Sequence, residues 1–225
     1  MRVLGFDPSL TNFGWAIFDT SVPDGQPERC LDRGRFQTSS KTLFVDRYCD
    51  LRESVRNLLD QLGSQYGLTR IGLEYPVFKD LYSEGMYGLF LYVCEALRAA
   101  RVDVVFFSPG QIKAHAAAFL GRPKGWRMDK PDMVEASKAD TGGKGRWNHN
   151  EADAYWVARV ASRFWQFHAG DLSKTDLTPL ELKQFTDVHT FTRGARAGVT
   201  VERGIMFRED ERFFLWSKEE SDAAS

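Results

Sequence analysis

Three acidic residues stand in or beside core-forming sequence: Asp7 in VLGFDPSLTNFGWAIF, Glu74 in RIGLEYP and Asp153 in NHNEADAYWVARV. A carboxylate withdrawn from water loses several kcal/mol of hydration unless a cation replaces the solvent. Isolated acids in apolar segments therefore suggest a metal site. A divalent cation held by carboxylates from distant segments is a common apparatus for cleaving phosphodiester bonds.

The elements that must position these acids follow from apolar periodicity. Residues 2–7 and GWAIFD read as two strands joined by the turn-forming PSLTN segment, and a third strand around 31–37 completes a meander. Between 42 and 66, Phe44, Tyr48, Leu51, Val55, Leu58 and Leu62 recur at helical spacing, with Gly67 as the stop. Residues 70–75 and 102–107 read as strands. Residues 82–100 and 109–119 read as helices, the latter opened by Ser108 and Pro109. The predicted class is α/β, in the order βββαβαβα with further helix. Asp7 and Glu74 each end a strand, with Pro8 and Pro76 close behind, so neighbouring strands would bring both to one rim. Asp153 opens a helix whose Val157, Val160 and Phe164 share its stripe.

The same spacing ranks the neighbours of Asp153. Asn150 lies three residues before it on the same face, whereas Glu151 points the other way. His149 reaches the site if the first turn extends that far, and is otherwise a surface or capping histidine.

Composition sets the bounds. The 225 residues, 43% of them hydrophobic, suffice for one sizeable core. Cys30, Cys49 and Cys94 form neither a CxxC pair nor a cluster with the four histidines, which argues against a disulfide framework or zinc site. A net charge of −1 argues against a uniformly basic nucleic-acid coat. No leader or membrane-length apolar run is read, so the expected location is cytoplasmic, in a prokaryote or as a phage protein in its host.

Taken in order, FDPSLTNFGWAIF, GLEYPVF, SPGQIK and HNEADAYWVA resemble RuvC-type Holliday junction resolvases of the RNase H-like nuclease superfamily, over residues 1–168. The resemblance implies an RNase H-like mixed five-stranded sheet flanked by helices in residues 1–168. It implies a homodimer that binds four-way or other branched DNA and cleaves it with two Mg2+ or Mn2+ ions per site, giving 5′-phosphate and 3′-hydroxyl ends. Asp7 and Asp153 become central ligands, Glu74 the third, and Lys113 and Lys130 match lysines near the scissile phosphate. The fourth ligand position, usually Asp and sometimes His, is Asn150. An amide oxygen can coordinate a hard cation but brings no charge, so the second metal should be held more weakly unless His149 or Glu151 compensates.

Other residues supply contacts for DNA. The GRPKGWRMDK loop places Arg122, Lys124, Arg127 and Lys130 around Trp126, a pattern that fits phosphate neutralisation with base stacking as well as it fits a solvated loop. Phe78 is the aromatic that the resemblance offers as a junction wedge, with Tyr75 and Tyr82 nearby and an ordinary core role as the competing reading. In the 82–100 helix, Tyr87, Leu91 and Tyr92 widen the apolar stripe of Met86, Leu89, Phe90, Val93 and Leu97, which fits either a homodimer interface or complete burial. Residues 169–225 read as a small C-terminal β-rich appendage with a turn at REDE and a disordered end. Arg193, Arg196 and Arg203 there are either DNA contacts or ordinary surface residues. Two alternatives accompany this reading: a relaxed nuclease acting on forks and flaps, and a catalytically weakened junction-binding protein in which Asn150 marks the decay.

Overall fold

In the computed structural model, residues 1–76, 82–143 and 145–186 are described, with side-chain placement from 85 onward in the second of these. Beyond them, the description covers short backbone segments within 188–218. Phe78, Arg193 and Arg196, the side chains of Tyr82 and Arg203, and residues 219–225 of the SKEESDAAS end expected to be disordered lie outside the described residues. The first two residues of that end, Ser217 and Lys218, depart from the expectation by pairing in a strand with Glu202 and Val201.

Strands β1 (Arg2–Asp7), β2 (Asn12–Asp19) and β3 (Cys30–Gln37) form the antiparallel meander expected from the sequence. Helix α1 (Phe44–Tyr66) ends at Gly67, whose φ of 63° is left-handed and suits glycine. Strand β4 (Arg70–Glu74) pairs parallel to β1, and β5 (Asp103–Phe107) pairs parallel to β4 after helix α2 (Tyr82–Ala99). The resulting order β3-β2-β1-β4-β5 is a mixed five-stranded sheet. A short segment, Ile205–Met206, adds antiparallel to the outer edge of β5.

Strand alternation divides the core into two layers. Leu4, Phe6, Ile71, Leu73, Val104 and Phe106 face α1 and α2. Val3, Val105 and Phe107 face the other layer, built from α3 (Pro109–Phe119), α4 (Lys130–Asp140) and α5 (His149–His168). Asp7 and Glu74 have the parity of this second side.

Local chemistry fixes the helix starts. Ser108, Asp129 and Asn148 each close a capping box, with Gln111, Asp132 and Glu151 respectively. Asn148 starts α5 four residues earlier than the sequence reading, because its side chain satisfies the amide of Asn150. Asp153 therefore lies in the second turn, and His149 is already helical.

The wide stripe of α2 is only partly explained by burial. Leu89, Phe90, Val93 and Leu97 are buried, whereas Tyr87 and Leu91 stay 48% exposed. After α5, a short 3-10 turn (Lys174–Asp176) and helix α6 (Pro179–Phe185) bring Leu177 and Phe185 onto the second core layer. Farther on, segments 188–190, 200–203 and 216–218 form a three-stranded sheet, and 208–209 pairs antiparallel with 212–213, while 210–211 of the expected REDE turn lie outside the described residues.

Candidate metal centre

Helix α5 carries the third acid to the rim because three strands offer it bare backbone. A Cβ at Gly14 of β2 would lie 2.2 Å from the Asn150 carbonyl oxygen, and one at Gly5 of β1 would lie 2.2 Å from that of Ala154. A Cβ at Gly72 of β4 would meet the Ala161 methyl at 2.6 Å. Such approaches exclude any side chain, so the glycines form a track on which the helix rests. Gly5 and Gly72 are direct register partners, which makes the track continuous across β1 and β4.

The same register aligns the acids. Asp7 pairs with Gly14, beneath the backbone of Asn150. On the other side of β1, Phe6 pairs with Leu73, and one further step brings Asp7 beside Glu74. Asp153 lies one turn beyond Asn150, above the same edge.

The electrostatics are those of carboxylates deprived of water. Burial, then the charges of Glu74 and Asp153, push the Asp7 carboxyl well above its ordinary range, against the opposing pull of Lys113 and Lys130. Burial and Asp153 push Glu74 up to about 8. Burial pushes Asp153 up to about 6, although both lysines favour its ionised form. Asp153 Oδ1 is buried with no hydrogen-bond partner, and it is the only carboxylate oxygen so placed among the described residues. Neither lysine forms an ion pair among the described residues, so their positive field is diffuse.

These donors fit a hard divalent cation: anionic oxygens, mutually repelling, one without any partner. They are not already drawn together. No group of three Asp, Glu, His or Cys side chains among the described residues is close enough to hold an ion jointly.

The neighbours divide clearly. Glu151 is committed elsewhere, accepting from the Asn148 amide and from Arg33 Nε at 3.2 Å. Asn150 is buried at the start of α5, directly over Gly14. His149 Nε2 stands 3.2 Å from Lys130 Nζ, so the imidazole accepts from the ammonium there. Burial and then the charges of Lys130 and Arg35 hold its pKa below the ordinary value. That contact orients Lys130 and occupies Nε2 of His149, the histidine offered as a compensating metal ligand.

In the 121–129 loop, Arg122 pairs with Glu135 at 2.9 Å and lies over the Trp126 ring. Trp126 donates from its indole nitrogen to Asp132 yet remains 48% exposed. Lys124 and Arg127 are exposed and form no ion pair among the described residues. The fixed pair and the open pair were not separable in the sequence. Also unanticipated were the glycine track, for which glycines inside apolar strands were the available signal, and Arg35, which shares the rung of Asp7 and Gly14.

No protein-family model matches the chain. The RuvC crossover junction endodeoxyribonuclease of Synechocystis is 27% identical over 145 residues, covering 60% of this chain and 76% of the relative. That of Parasynechococcus marenigrum is 27% identical over 136 residues, covering 60% and 80%. Two solved Thermus thermophilus RuvC structures, one in complex with a Holliday junction substrate, match with TM-scores of 0.57 and 0.56 at 18% and 19% identity. They cover 76% of this chain and 96% and 97% of their own. The sequence relatives are RuvC proteins and the fold is the RuvC fold.

Proposed function

We propose that this chain is a metal-dependent endonuclease, a crossover junction endodeoxyribonuclease that cleaves Holliday junctions or closely related branched DNA. The observation that carries the proposal is the gathering of Asp7, Glu74 and Asp153 on one rim with their charges unneutralised and Asp153 Oδ1 without a partner. The sequence relatives supply the reaction class.

Asp7, Glu74 and Asp153, with the amide oxygen of Asn150, would hold two Mg2+ or Mn2+ ions. When bound, these ions supply an activated water and stabilise charge on the leaving 3′ oxygen, which gives 5′-phosphate and 3′-hydroxyl ends. The side chains prepare that chemistry. Burial keeps bulk water from screening the carboxylates, and the stacked strand ends fix their separation. Lys113, projecting from α3, and Lys130, braced by His149, place positive charge beside the scissile phosphate. Lys124 and Arg127 meet flanking phosphates, and the exposed face of Trp126 is open for stacking on a base. Tyr87 and Leu91 form part of the contact between two copies, which lets two centres act on opposite strands. Among the described residues no helix is long and apolar enough to cross a membrane, and the proposed setting is the cytoplasm.

The test compares cleavage of a four-way junction, a fork, a flap and a linear duplex with Mg2+ or Mn2+, beside Asp7→Asn. Preferential symmetric cutting of the four-way junction, lost in the variant, is expected. Equal cutting of linear duplex would replace junction resolution with a relaxed nuclease activity, and a cutting Asp7→Asn protein would remove the rim from the chemistry.

A further inference from the structure

Beyond the carboxylates, one exposed arginine occupies a place that strand register makes informative. Arg35 of the edge strand β3 pairs with Gly14, which pairs with Asp7, so the three share one rung of the sheet. Residues on a rung point to the same side, and here that is the α5 side, because Gly14 lies beneath Asn150.

Arg33, two residues along β3 on the same face, confirms the direction. Its guanidinium pairs with Glu151 of α5 at 3.2 Å and lies 3.8 Å over the Trp147 ring. The two arginines differ in what they hold. Arg33 is spent on fixing β3 to the start of α5, whereas Arg35 is exposed and forms no ion pair among the described residues.

Position completes the argument. Two interstrand steps put the Arg35 backbone about 10 Å from that of Asp7. With its long side chain, that is within reach of a phosphate one to three nucleotides from a scissile bond held at the rim, at about 3.4 Å of rise per nucleotide. Lys130 lies toward the carboxylates, and both it and Arg35 act on His149, so these two cations mark a path from the rim to the sheet edge. Two cations leading away from an anionic pocket suit a polyanion laid across them.

We infer that Arg35 is a phosphate-binding residue for the DNA strand being cut, gripping the backbone beside the scissile bond where that strand crosses the edge of β3. The inference rests on the proposed nuclease reading. A guanidinium there clamps a phosphate through two parallel hydrogen bonds and carries no sequence preference.

The experiment is a salt titration of binding to a synthetic four-way junction and to a linear duplex, with EDTA present so that neither is cut. Wild type, Arg35→Ala, Arg35→Lys and the control Arg56→Ala, at an exposed position on α1, are compared over about 50–200 mM salt. Loss of one phosphate contact lowers the slope of log affinity against log salt by about 1 in Arg35→Ala. Arg35→Lys retains most of the slope, and Arg56→Ala is unchanged. An Arg35→Ala slope equal to wild type, or an equal loss in Arg56→Ala, overturns the assignment. If wild type binds junction and duplex alike while Arg35→Ala still loses slope on both, the phosphate contact stands and the junction reading falls.

Discussion

Two acids with buried carboxylate oxygens on the α5 side of the sheet show how differently one fold can treat a carboxylate. Asp140, at the end of α4, is fully buried and fully answered: Arg29 Nη1 lies 3.1 Å from Oδ1, and Tyr155 and Arg159 donate to Oδ2 at 2.7 and 2.8 Å. Asp153 is two residues from Tyr155 on the same helix. Its Oδ1 has no partner, and its nearest charges include two further acids. Asp140 joins α4, α5 and the segment before β3, with the Gly25 amide donating to its carbonyl. Both sites withdraw a carboxylate oxygen from water; the difference is whether the protein supplies a direct partner. At Asp140 it does, and the group is structural. At Asp153 two lysines act without forming an ion pair among the described residues, and the direct partner of Oδ1 is left to come from outside.

The sharpest way to break this comparison is to neutralise one acid in each group. Asp7→Asn should lower cleavage about a thousandfold or more, since several kcal/mol of transition-state stabilisation is lost and each 1.36 kcal/mol is tenfold. It should leave thermal stability equal or higher, because one of three repelling anions disappears. Asp140→Asn should do the reverse. With the buried Arg29 and the half-buried Arg159 left beside a neutral amide, it should cost about 3–5 kcal/mol in urea unfolding. Equal destabilisation by both substitutions would erase the distinction.

Next in size is the response to pH and metal. The folded protein holds protons on Glu74, up to about 8, and on Asp153, up to about 6, more tightly than an unfolded chain does. Raised carboxyl pKa values mean that stability falls as pH rises from the ordinary carboxyl range toward these values, because the folded state must then ionise against its surroundings. Metal-free protein should therefore lose melting temperature between pH 4.5 and 8. Mn2+ should restore it most at the upper end, adding about 2.7 kcal/mol at a hundred times its dissociation constant. In Asp7→Asn both the slope and the metal effect should shrink. A melting temperature that rises with pH in the absence of metal would contradict the unneutralised rim.

How much of this was legible follows the same division. The three acids, the strand order and the helices were readable because apolar periodicity and proline stops are local signals. Lys113 and Lys130 followed from the resemblance, and the structure puts both within the field of Asp153. What stayed hidden depends on register. Nothing in the sequence separates Arg33 from Arg35, two residues apart on one strand, until α5 is laid on the glycine track and Glu151 comes within reach of only one of them. Likewise, Arg122 looked as available as Lys124 until α4 brought Glu135 beside it. The separation of Asn150 from Glu151 was legible because helical spacing is itself a register.

The smallest expected effect sharpens the comparison at its weakest corner. Asn150 occupies the position where a fourth carboxylate would complete the rim, and its backbone is fixed over Gly14, so Asn150→Asp changes charge with little change of shape. In metal-free protein the added anion joins three others and should lower the melting temperature. With Mn2+ the sign reverses, because a fourth anionic oxygen serves a cation better than a neutral amide. The expected gain in Mn2+ affinity by calorimetry is about tenfold, or ~1.4 kcal/mol, reduced by the added repulsion among the acids. Opposite signs with and without metal would identify Asn150 as part of the centre. A change of the same sign in both conditions would make it an ordinary first-turn residue and leave three acids to do the work.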